Sequence, residues 1–492
     1  MQVILKDGNR SYNVKVQLFD NRIQLAHAGP QKIGILSNIY INDIIGSKKF
    51  QNETSCTIVI NYCPFIEGTK TRQFKRVFLE YFVVKNMCTG NCNNPIHPQE
   101  SEQNQDSEQT QKSEQTQESE QNRELERNQI QIKETKQEHF EESWLIMENE
   151  KYTEWYNQIQ DRITTKKKKY IIVVNPRSGI SNSYSVFSHI VRPLIESTGS
   201  TYDIVPIQHS SEIDRIFDHK DVKDYDAVIV VGGDGTIYST VNNLICQKSN
   251  IPVGIVPTGS GNALAKSISE YHNEDLSLVG AIFHIIKGSL HTTNTTKCIS
   301  KDSNDTTYSI VGQAWGLSSD VDIESEYMRC MGSFRFTLET IKKLFYFKHY
   351  AGKIEYLPVT DENRKMDLNF SWDKLIDDNW ETLEDRFLLV WGCQAPYMSH
   401  DMKVVPQSNL EDNIIYLIIV REGATRLDIM NIFMKVSNGS HITNPHVEIL
   451  PVLAYRLHPK NNLENGNITV DGEAISYEPL QVSITKGGNL IY

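Results

Sequence analysis

The chain of 492 residues has little of what marks several protein classes. Its 8 cysteines (Cys56, Cys63, Cys88, Cys92, Cys246, Cys298, Cys330 and Cys393) are sparse for this length and form no dense framework of the kind that staples small secreted domains. No run approaches the ~18 consecutive apolar residues a membrane-spanning helix needs. The longest apolar runs, such as Ile414–Val420, are strand-sized. The opening MQVILKDGNR puts Asp7 where a signal sequence would need an apolar stretch. An excess of positive charge is missing as well. The formal charge is −12, from 50 Lys+Arg against 62 Asp+Glu, which argues against broad nucleic-acid binding. A soluble, reducing, cytoplasmic setting is the resulting expectation.

The acidity is unevenly spread. Residues 101–143 hold 5 Lys/Arg and 12 Asp/Glu, so −7 of the −12 lies there. The same stretch carries a period-six repeat, SEQNQD, SEQTQK, SEQTQE and SEQNRE, starting at Ser101, Ser107, Ser113 and Ser119. Six fits neither a heptad seam nor a solenoid unit. Residues 101–139 lack any aromatic residue, and a segment this polar has too little apolar surface to offset its ordering entropy, so it reads as a disordered linker.

Five regions follow from the patterning. Residues 1–93 are β-rich, with short β-branched and aromatic runs at Val14–Phe19, Lys32–Leu36, Thr57–Tyr62 and Val77–Val84; a pleckstrin-homology-like module is one candidate. Cys88-x3-Cys92 near His97 has no matching second pair and reads as structural or unpaired thiols rather than a zinc site. The low-complexity linker occupies 94–143. Residues 144–168 read as a helix, Trp144 to Ile163, followed by the basic run Lys166–Lys169, which is either solvated or set against anionic lipid headgroups.

Between 169 and 297, apolar strands (170–174, 203–207, 227–231, 253–257) alternate with helical spacings (185–198, 237–245, 262–269, 278–286). Continuous apolar strands alternating with helices predict a mainly parallel sheet covered on both faces. From 298 to 492 strands dominate, interrupted by helices near 334–345 and 426–436, which predicts a β-rich, sandwich-like C-terminal domain with a ligand cleft between the two.

Three loops fall directly after strands of the α/β part, where ligands of such sheets bind. They are Asn175-Pro-Arg-Ser-Gly179, Gly232-Gly-Asp-Gly-Thr236 and Pro257-Thr-Gly-Ser-Gly-Asn262. Each opens a helix and carries glycine where backbone amides can approach an anion. No G-x-x-x-x-G-K-[ST] is present, which excludes a Walker-type phosphate loop. Asp234, flanked by Gly233 and Gly235, can accept a proton from an attacking hydroxyl or help hold Mg²⁺.

GGDGT at 232–236, followed by IPVGIVPTGSGNALAKSI at 251–268, resembles the catalytic region of the diacylglycerol/sphingosine lipid kinase superfamily. The GSGNALA form is most similar to that of sphingosine (long-chain-base) kinases. The segment 314–326 (AWGLSSDVDIESE), MGSFRFTL at 331–338, VLAYRLHP at 452–459 and VDGE at 470–473 follow in family order, so the resemblance covers about 170–485. NAD kinases share a GGDGT loop but not the 314–338 segment.

The resemblance implies ATP and Mg²⁺ as cofactors, a sphingoid-base substrate and peripheral contact with intracellular or plasma membranes. It implies Asp234 as general base, with Gly232, Gly233, Asp234, Gly235 and Asp322 on the lipid side. Asn175, Pro176, Arg177, Gly235, Thr236, Gly259, Ser260, Gly261, Arg329, Arg335, Asp471, Gly472 and Glu473 are implied on the ATP side. Asp322 suits the amine of a sphingoid base. In a strand, Asp320, Asp322, Glu324 and Glu326 would share one face. The helically spaced sets Phe334, Leu338, Ile341, Leu344, Phe345 and Ile429, Met430, Ile432, Phe433, Val436 serve either as core or as lining of a lipid channel, with His441 near it.

The chain departs from the family pattern at Ser239, where Glu is usual, at Asn243, where Gly is common, and at Ile180-Ser-Asn, where the family is rich in Gly and Lys. Diacylglycerol or ceramide phosphorylation, or a non-catalytic lipid-binding regulator, are the alternative readings.

Overall fold

The computed structural model describes residues 2–7, 10–18, 22–27, 35–40, 44–51, 55–62, 69–73, 75–82, 141–147, 165–176, 182–209, 212–213, 217, 222–288, 290–325, 327, 338–340, 342–343, 348–366, 368–374, 376–460 and 466–491. The SEQ repeat, the Cys88/Cys92/His97 group and the stretch 148–163 of the expected helix lie outside the described residues.

The chain divides into two compact units. The first is built on an eight-stranded sheet. Its strands are β1 (Gln2–Asp7), β2 (Arg10–Leu18), β3 (Arg22–His27), β4 (Ile35–Tyr40), β5 (Ile44–Gln51), β6 (Ser55–Tyr62), β7 (Lys75–Phe82) and β8 (Glu141–Met147), in the order β4-β3-β2-β1-β8-β7-β6-β5. β8 corrects the sequence expectation. Trp144–Met147 is a strand, pairing antiparallel with β1 and parallel with β7 (Trp144 opposite Lys6 and Phe78). Within 141–147 only Trp144 and Met147 carry the helical spacing, a span too short for periodicity to separate helix from strand. The linker expected to end at 143 therefore ends before Glu141.

The second unit comprises 42–47, 63–73 and 161–492. Its α/β part begins with β9 (Lys169–Val174), β10 (Thr201–Pro206), β11 (Ala227–Gly232) and β12 (Val253–Pro257), all parallel, in the order β10-β9-β11-β12. β11 and β12 are buried at every position, which is why their sequences are continuous apolar runs rather than alternating ones. The intervening helical run α1 joins Ser183–Val186, a π-turn over Phe187–Val191 and Arg192–Ser197, opened by an Asn182 cap that accepts from the N–H groups of Tyr184 and Ser185. α2 (Asp234–Cys246), α3 (Ala263–Tyr271) and α4 (Leu278–Lys287) complete this layer. Ser277 caps α4 through the N–H of Gly280.

The β-rich part starts earlier than expected, at β13 (Leu290–Ser300) instead of 298. Its sequence, LHTTNTTKCIS, is threonine-rich and not visibly apolar. It nevertheless pairs along almost its whole length with the last strand, β24 (Leu480–Ile491). The strands between are β14 (Thr306–Ser309), β15 (Gly312–Gly316), β16 (Tyr350–Pro358), β17 (Glu381–Cys393), the hairpin β18 (Tyr397–Ser399) and β19 (Met402–Lys403), β20 (Ile415–Arg421), β21 (Val447–Pro459), β22 (Ile468–Val470) and β23 (Glu473–Ile475). Among the described residues, the α-helices α5 (Leu317–Glu324) and α6 (Arg426–Lys435) lie between these strands, and 338–340 and 342–343, on the helix expected near 334–345, are helical as well.

β17 and β21 hold this part together because each serves two layers. The first half of β17 pairs with β16 and the second half with β20 and β15; β21 pairs first with β20 and then with β16 and β24. Register breaks at Phe387/Leu389 and Leu357/Pro358 sit at the crossovers, as expected where strands pass from one sheet layer to another. β21 is one continuous strand that passes from one layer to the other. The core of this part packs Trp315 against Tyr350 and Phe387, with ring centroids 5.9 and 5.6 Å apart. β24 also pairs in parallel with β12 at Val253–Leu490, so a single sheet runs through both parts of the unit.

Candidate active site

The three strand-end loops are stitched to one another. The Asn175 N–H donates to the Val231 carbonyl (3.2 Å) and its side chain to the Thr236 hydroxyl (3.2 Å). The Thr258 N–H donates to the Gly232 carbonyl (3.1 Å), and the Ser183 and Thr258 hydroxyls are 2.8 Å apart. Asn262 stands in the left-handed region (φ 52°), a conformation asparagine tolerates better than most residues. Its side chain closes the loop on itself, accepting from the Gly259 N–H (2.9 Å) and donating to the Gly259 carbonyl (2.8 Å). Sequence reasoning missed this role, although an asparagine placed between GSG and a helix is its signal.

Asp234 is the first residue of α2, after Gly233 as N-cap. Its carboxylate accepts the N–H of Ala263, the first residue of α3, at 3.0 Å, so two helix N-termini face it. A Cβ placed on Gly261 would lie 2.4 Å from Asp234 Oδ2, and one on Gly259 2.5 Å from the Gly233 Cα. Gly259 therefore admits no side chain without displacement of backbone, and a side chain at Gly261 would push the Asp234 carboxylate aside. Asp234 is half-buried, and desolvation pushes its pKa up to about 6. The N–H groups of Ala263 and Asn262 pull against that rise, and the charge of Asp471 adds to it.

On the β-rich side, a Cβ on Gly235 would lie 2.6 Å from Glu473 Oε1, and one on Gly472 3.4 Å from Asp322 Oδ2. Asp234–Gly235, Glu473, Gly472 and Asp322 thus form a continuous line from the α/β part to α5. Gly232, Gly233 and Thr236 are buried beneath it; Ser260 is half-exposed in the middle of its loop, and Pro176 is exposed beside Asn175. Arg177, Arg329 and Arg335 lie outside the described residues.

Asp471 has a different employment from its neighbours. It is a left-handed residue (φ 51°) whose carboxylate accepts from the Ser309 hydroxyl (2.6 Å) and from the N–H groups of Ile310, Val311 and Gly312 (2.8–3.0 Å). Burial raises its pKa against these four donors. Its acceptor capacity is directed to the turn between β14 and β15.

The acidic run 320–326 corrects the strand expectation: Leu317–Glu324 is a helix, and Glu326 lies outside the described residues. Helical spacing puts Asp320 and Glu324 on one face and turns Asp322 to another. The like charges are separated in this way instead of stacked. Asp320, 1% exposed, accepts from the Tyr350 hydroxyl (2.6 Å), the Asn467 N–H (3.0 Å) and the Asn467 amide (2.9 Å), with Lys343 and Lys348 at 3.9 and 3.8 Å. Lys343 also pairs with Glu324.

On α6, Ile429, Ile432 and Val436 are buried with Leu317 and Val321 of α5 and Phe433 packs on them, while Met430 points outward. His441 is fully buried, and burial pushes its pKa down. Of the other expected stripe, Leu338 is half-buried; Phe334, Ile341, Leu344 and Phe345 lie outside the described residues. Ser239 donates back to the Gly235 carbonyl (3.0 Å), within α2. The basic run is not uniformly solvated: Lys168 is half-buried, its ammonium donating to the Ile285 carbonyl (3.4 Å).

A further feature was not legible in sequence. The β18–β19 hairpin reaches the glycine loop: the His400 N–H donates to the Gly261 carbonyl (2.6 Å), and its ring Nδ1 is 3.1 Å from the same oxygen. Tyr397 and Lys403 both bind Glu270 of α3, which fastens the hairpin.

Among the described residues, no group of three or more His, Cys, Asp or Glu side chains is spaced to hold a metal ion. No described helix is long and apolar enough to cross a membrane.

The diacylglycerol kinase catalytic domain family matches residues 169–298, and the YegS C-terminal NAD kinase beta sandwich-like domain family matches 314–488. The chain belongs to the diacylglycerol/sphingosine lipid kinase superfamily. It is similar to sphingosine kinase 1 of Arabidopsis thaliana, 26% identical over 379 residues covering 68% of this chain and 77% of that one. It is also similar to sphingosine kinase 1 of Rattus norvegicus (28% over 339 residues, 64% and 88%) and of Homo sapiens (27% over 340 residues, 64% and 88%). This lipid kinase carries both halves of the family unit in one continuous sheet, with the Asp234 line running between them.

Proposed function

We propose that this lipid kinase transfers the γ-phosphoryl group of ATP to the primary hydroxyl of sphingosine or a related long-chain base. The observation that carries the reading is the line from Asp234 to Asp322, which sets a base with a raised pKa and a second carboxylate along one run of close contacts. Asp234 takes the hydroxyl proton as that oxygen bonds to the γ-phosphorus. The bond from the γ-phosphorus to the β,γ-bridging oxygen breaks, ADP leaves, and the proton passes from Asp234 to solvent. A base with a pKa near 6 is ionised at neutral pH and still basic enough to accept a proton.

Asp322 pairs with the ammonium of the sphingoid base. Neither diacylglycerol nor ceramide offers that cation. The apolar cluster of Leu317, Val321, Ile429, Ile432 and Val436 beside α5 suits the alkyl chain. His441, kept neutral by burial, belongs to the same wall.

On the ATP side, the amides and glycines of 232–236 and 258–262 and the side chain of Asn175 accept the phosphates, with Arg177, Arg329 and Arg335 as cations. The close approaches at Gly259, Gly261 and Gly235 bring the loops directly against Gly233, Asp234 and Glu473, which gathers the backbone amides of both glycine loops around one point. Asp471 acts by shaping the β14–β15 turn rather than by contact. Mg²⁺ accompanies ATP, with Glu473 as the carboxylate offered by the chain, and when bound it neutralises charge on the transferring phosphoryl group.

A kinase of this kind meets its bilayer-resident substrate at the membrane surface. We assign that contact to the outer face of α6, where Leu427, Met430 and Met434 (72%, 42% and 64% exposed) form one stripe between the cationic shoulders Arg426 and Lys435. The opposite face of the same helix closes the alkyl-chain cluster.

The deciding assay is transfer of labelled phosphate from ATP to sphingosine, diacylglycerol and ceramide in parallel at millimolar Mg·ATP. Transfer to sphingosine in preference to the others is expected. Preference for diacylglycerol or ceramide would move the activity to the neighbouring substrate class, and no transfer to any lipid would leave a non-catalytic regulator.

A further inference from the structure

The helix that begins at Asp234 is bonded to the β-rich part through Asn242. This residue lies two turns along α2, about 12 Å from Asp234 at 1.5 Å per residue. Its amide nitrogen donates to the Tyr308 carbonyl of β14 (2.7 Å) and to the Tyr238 carbonyl within α2 (3.0 Å). Its oxygen accepts the Tyr308 N–H (2.7 Å) and the Thr307 hydroxyl (3.0 Å). Both donors and both lone pairs of the amide are thus engaged. Tyr238, one turn back, brings its hydroxyl to 2.5 Å from that of Thr307. Among the described strands β14 pairs only with β13, so Asn242 takes the place of a neighbouring strand on its open edge.

What these bonds fix follows from the order of the chain. β14 leads through 310–311 into β15, and β15 leads directly into α5, which carries Asp322. Asp471 holds the connecting turn through Ser309 and the N–H groups of Ile310, Val311 and Gly312. Asn242 therefore ties the element that carries Asp234 to the segment that carries Asp322, at a point remote from both. A sphingoid base bears its reacting hydroxyl and its ammonium on adjacent carbons, so bond lengths fix their separation. Serving both at once requires the two carboxylates to be held to within ~0.5 Å of one arrangement. Misplacement by about 1 Å can cost on the order of a hundredfold in rate.

We propose that, on the sphingoid-base reading above, Asn242 is a positioning residue that sets the separation of Asp234 and Asp322 through β14. All four of its bonds are made within the chain, and it acts on the reaction through the two carboxylates. It makes the rate depend on an ammonium standing beside the reacting hydroxyl.

The test is a double-mutant cycle on the full chain, read as kcat/KM for sphingosine at saturating Mg·ATP. Asn242→Ala should lose at least tenfold by itself and less than threefold when added to Asp322→Asn, where no ammonium pairing is left to keep in register. A merely structural defect costs the same factor in both backgrounds. Arg72→Ala, a substitution in the same unit that leaves the Asn242 bonds in place, should behave in that additive way. Tyr238→Phe keeps Asn242 and loses only the contact with the Thr307 hydroxyl. It should show a smaller loss with the same dependence on Asp322, and it gives the reading if Asn242→Ala has a lowered thermal midpoint. Equal losses in both backgrounds, no loss in either, or the same dependence on Asp322 in Arg72→Ala would each overturn the inference and leave the activity standing. If the unaltered chain transfers no phosphate to sphingosine, the proposed function falls and the role of Asn242 falls with it.

Discussion

Asp234 is held in a position that suits chemistry better than stability. Burial lifts its pKa from the usual carboxylate range to about 6, so the folded chain binds this proton more tightly than the unfolded chain does. Its stabilising contribution is complete below the unfolded value and lost as pH rises through about 6. Asp234→Asn should therefore raise the thermal midpoint relative to the unaltered chain at pH 7.5, with the difference vanishing below pH 4. Equal midpoints at pH 7.5 would mean that the carboxylate is not strained in the fold. The same substitution should lower turnover by about 10²–10⁴-fold, the usual worth of a general base. For the unaltered enzyme, kcat/KM should fall on the acid side with an apparent pKa close to 6. Abundant turnover in Asp234→Asn would remove it from the mechanism. Asp322→Asn should raise KM for sphingosine by tenfold or more and leave KM for ATP within twofold; equal changes in both would count against its pairing with the lipid amine.

At the scale of elements, the membrane contact proposed for α6 and the bond from the β18–β19 hairpin to the glycine loop each have a direct test. The outer stripe of α6 should matter only when the substrate is in a bilayer. Replacing Leu427, Met430 and Met434 by serine should reduce phosphorylation of sphingosine in anionic vesicles at least fivefold and leave detergent-dispersed substrate unaffected. A loss in both formats would mark the stripe as structural. The hairpin seats the GSG loop through His400 and Gly261. His400→Ala keeps the backbone bond but loses the ring, so a two- to fivefold rise in KM for ATP is expected without a matching change for the lipid, and His400→Gln, which restores a donor, should recover most of it.

How readily each element could be read depended on what its residues report. The buried parallel strands β9, β11 and β12 are apolar at nearly every position, and their ends could be placed almost to the residue. β13 could not, because its threonines are buried by the strands on either side and not by their own hydrophobicity. Residues 320–324 alternate charge with apolar residues as a strand would, yet Asp320 is drawn into a buried bonding pattern with Tyr350 and Asn467 that a helix satisfies. The motif glycines and Asp234 were legible because a close approach requires particular residue types. His400 and Asn467 were not, because they act through partners more than a hundred residues away.

At the scale of the whole molecule, the catalytic unit is not a simple C-terminal block. Residues 42–47 and 63–73 belong to it by contact, although the sequence places them within a β-rich N-terminal region. Arg72 is the pin. It donates through Nε to both oxygens of Glu274 (3.0 and 3.2 Å) and lies 3.8 Å over the Phe283 ring. Around it, Lys70 donates to the Asn273 side chain (2.6 Å), the Asp275 N–H to the Lys70 carbonyl (3.1 Å), and Lys287 to the Ile44 carbonyl (2.9 Å).

Burial alone would raise the pKa of Glu274, but hydrogen bonding and charge from His284 and Arg72 outweigh it and hold the carboxyl below its usual range. The pair's contribution is therefore present above the unfolded carboxylate pKa and lost as pH falls through the folded value. Removing one partner of a buried pair strands the other, typically at a cost of about 3–5 kcal/mol. Arg72→Ala should thus lower the thermal midpoint of the catalytic unit by several degrees at pH 7.5 and by progressively less toward pH 4. A chain beginning at residue 161 should show at least the same loss, because it lacks the whole 69–73 segment while retaining every loop of the Asp234 line. If that shorter chain melts as the full one does, the segment is an ornament on the fold. If it melts lower while keeping its KM for ATP, the N-terminal stretch is a structural part of the kinase itself.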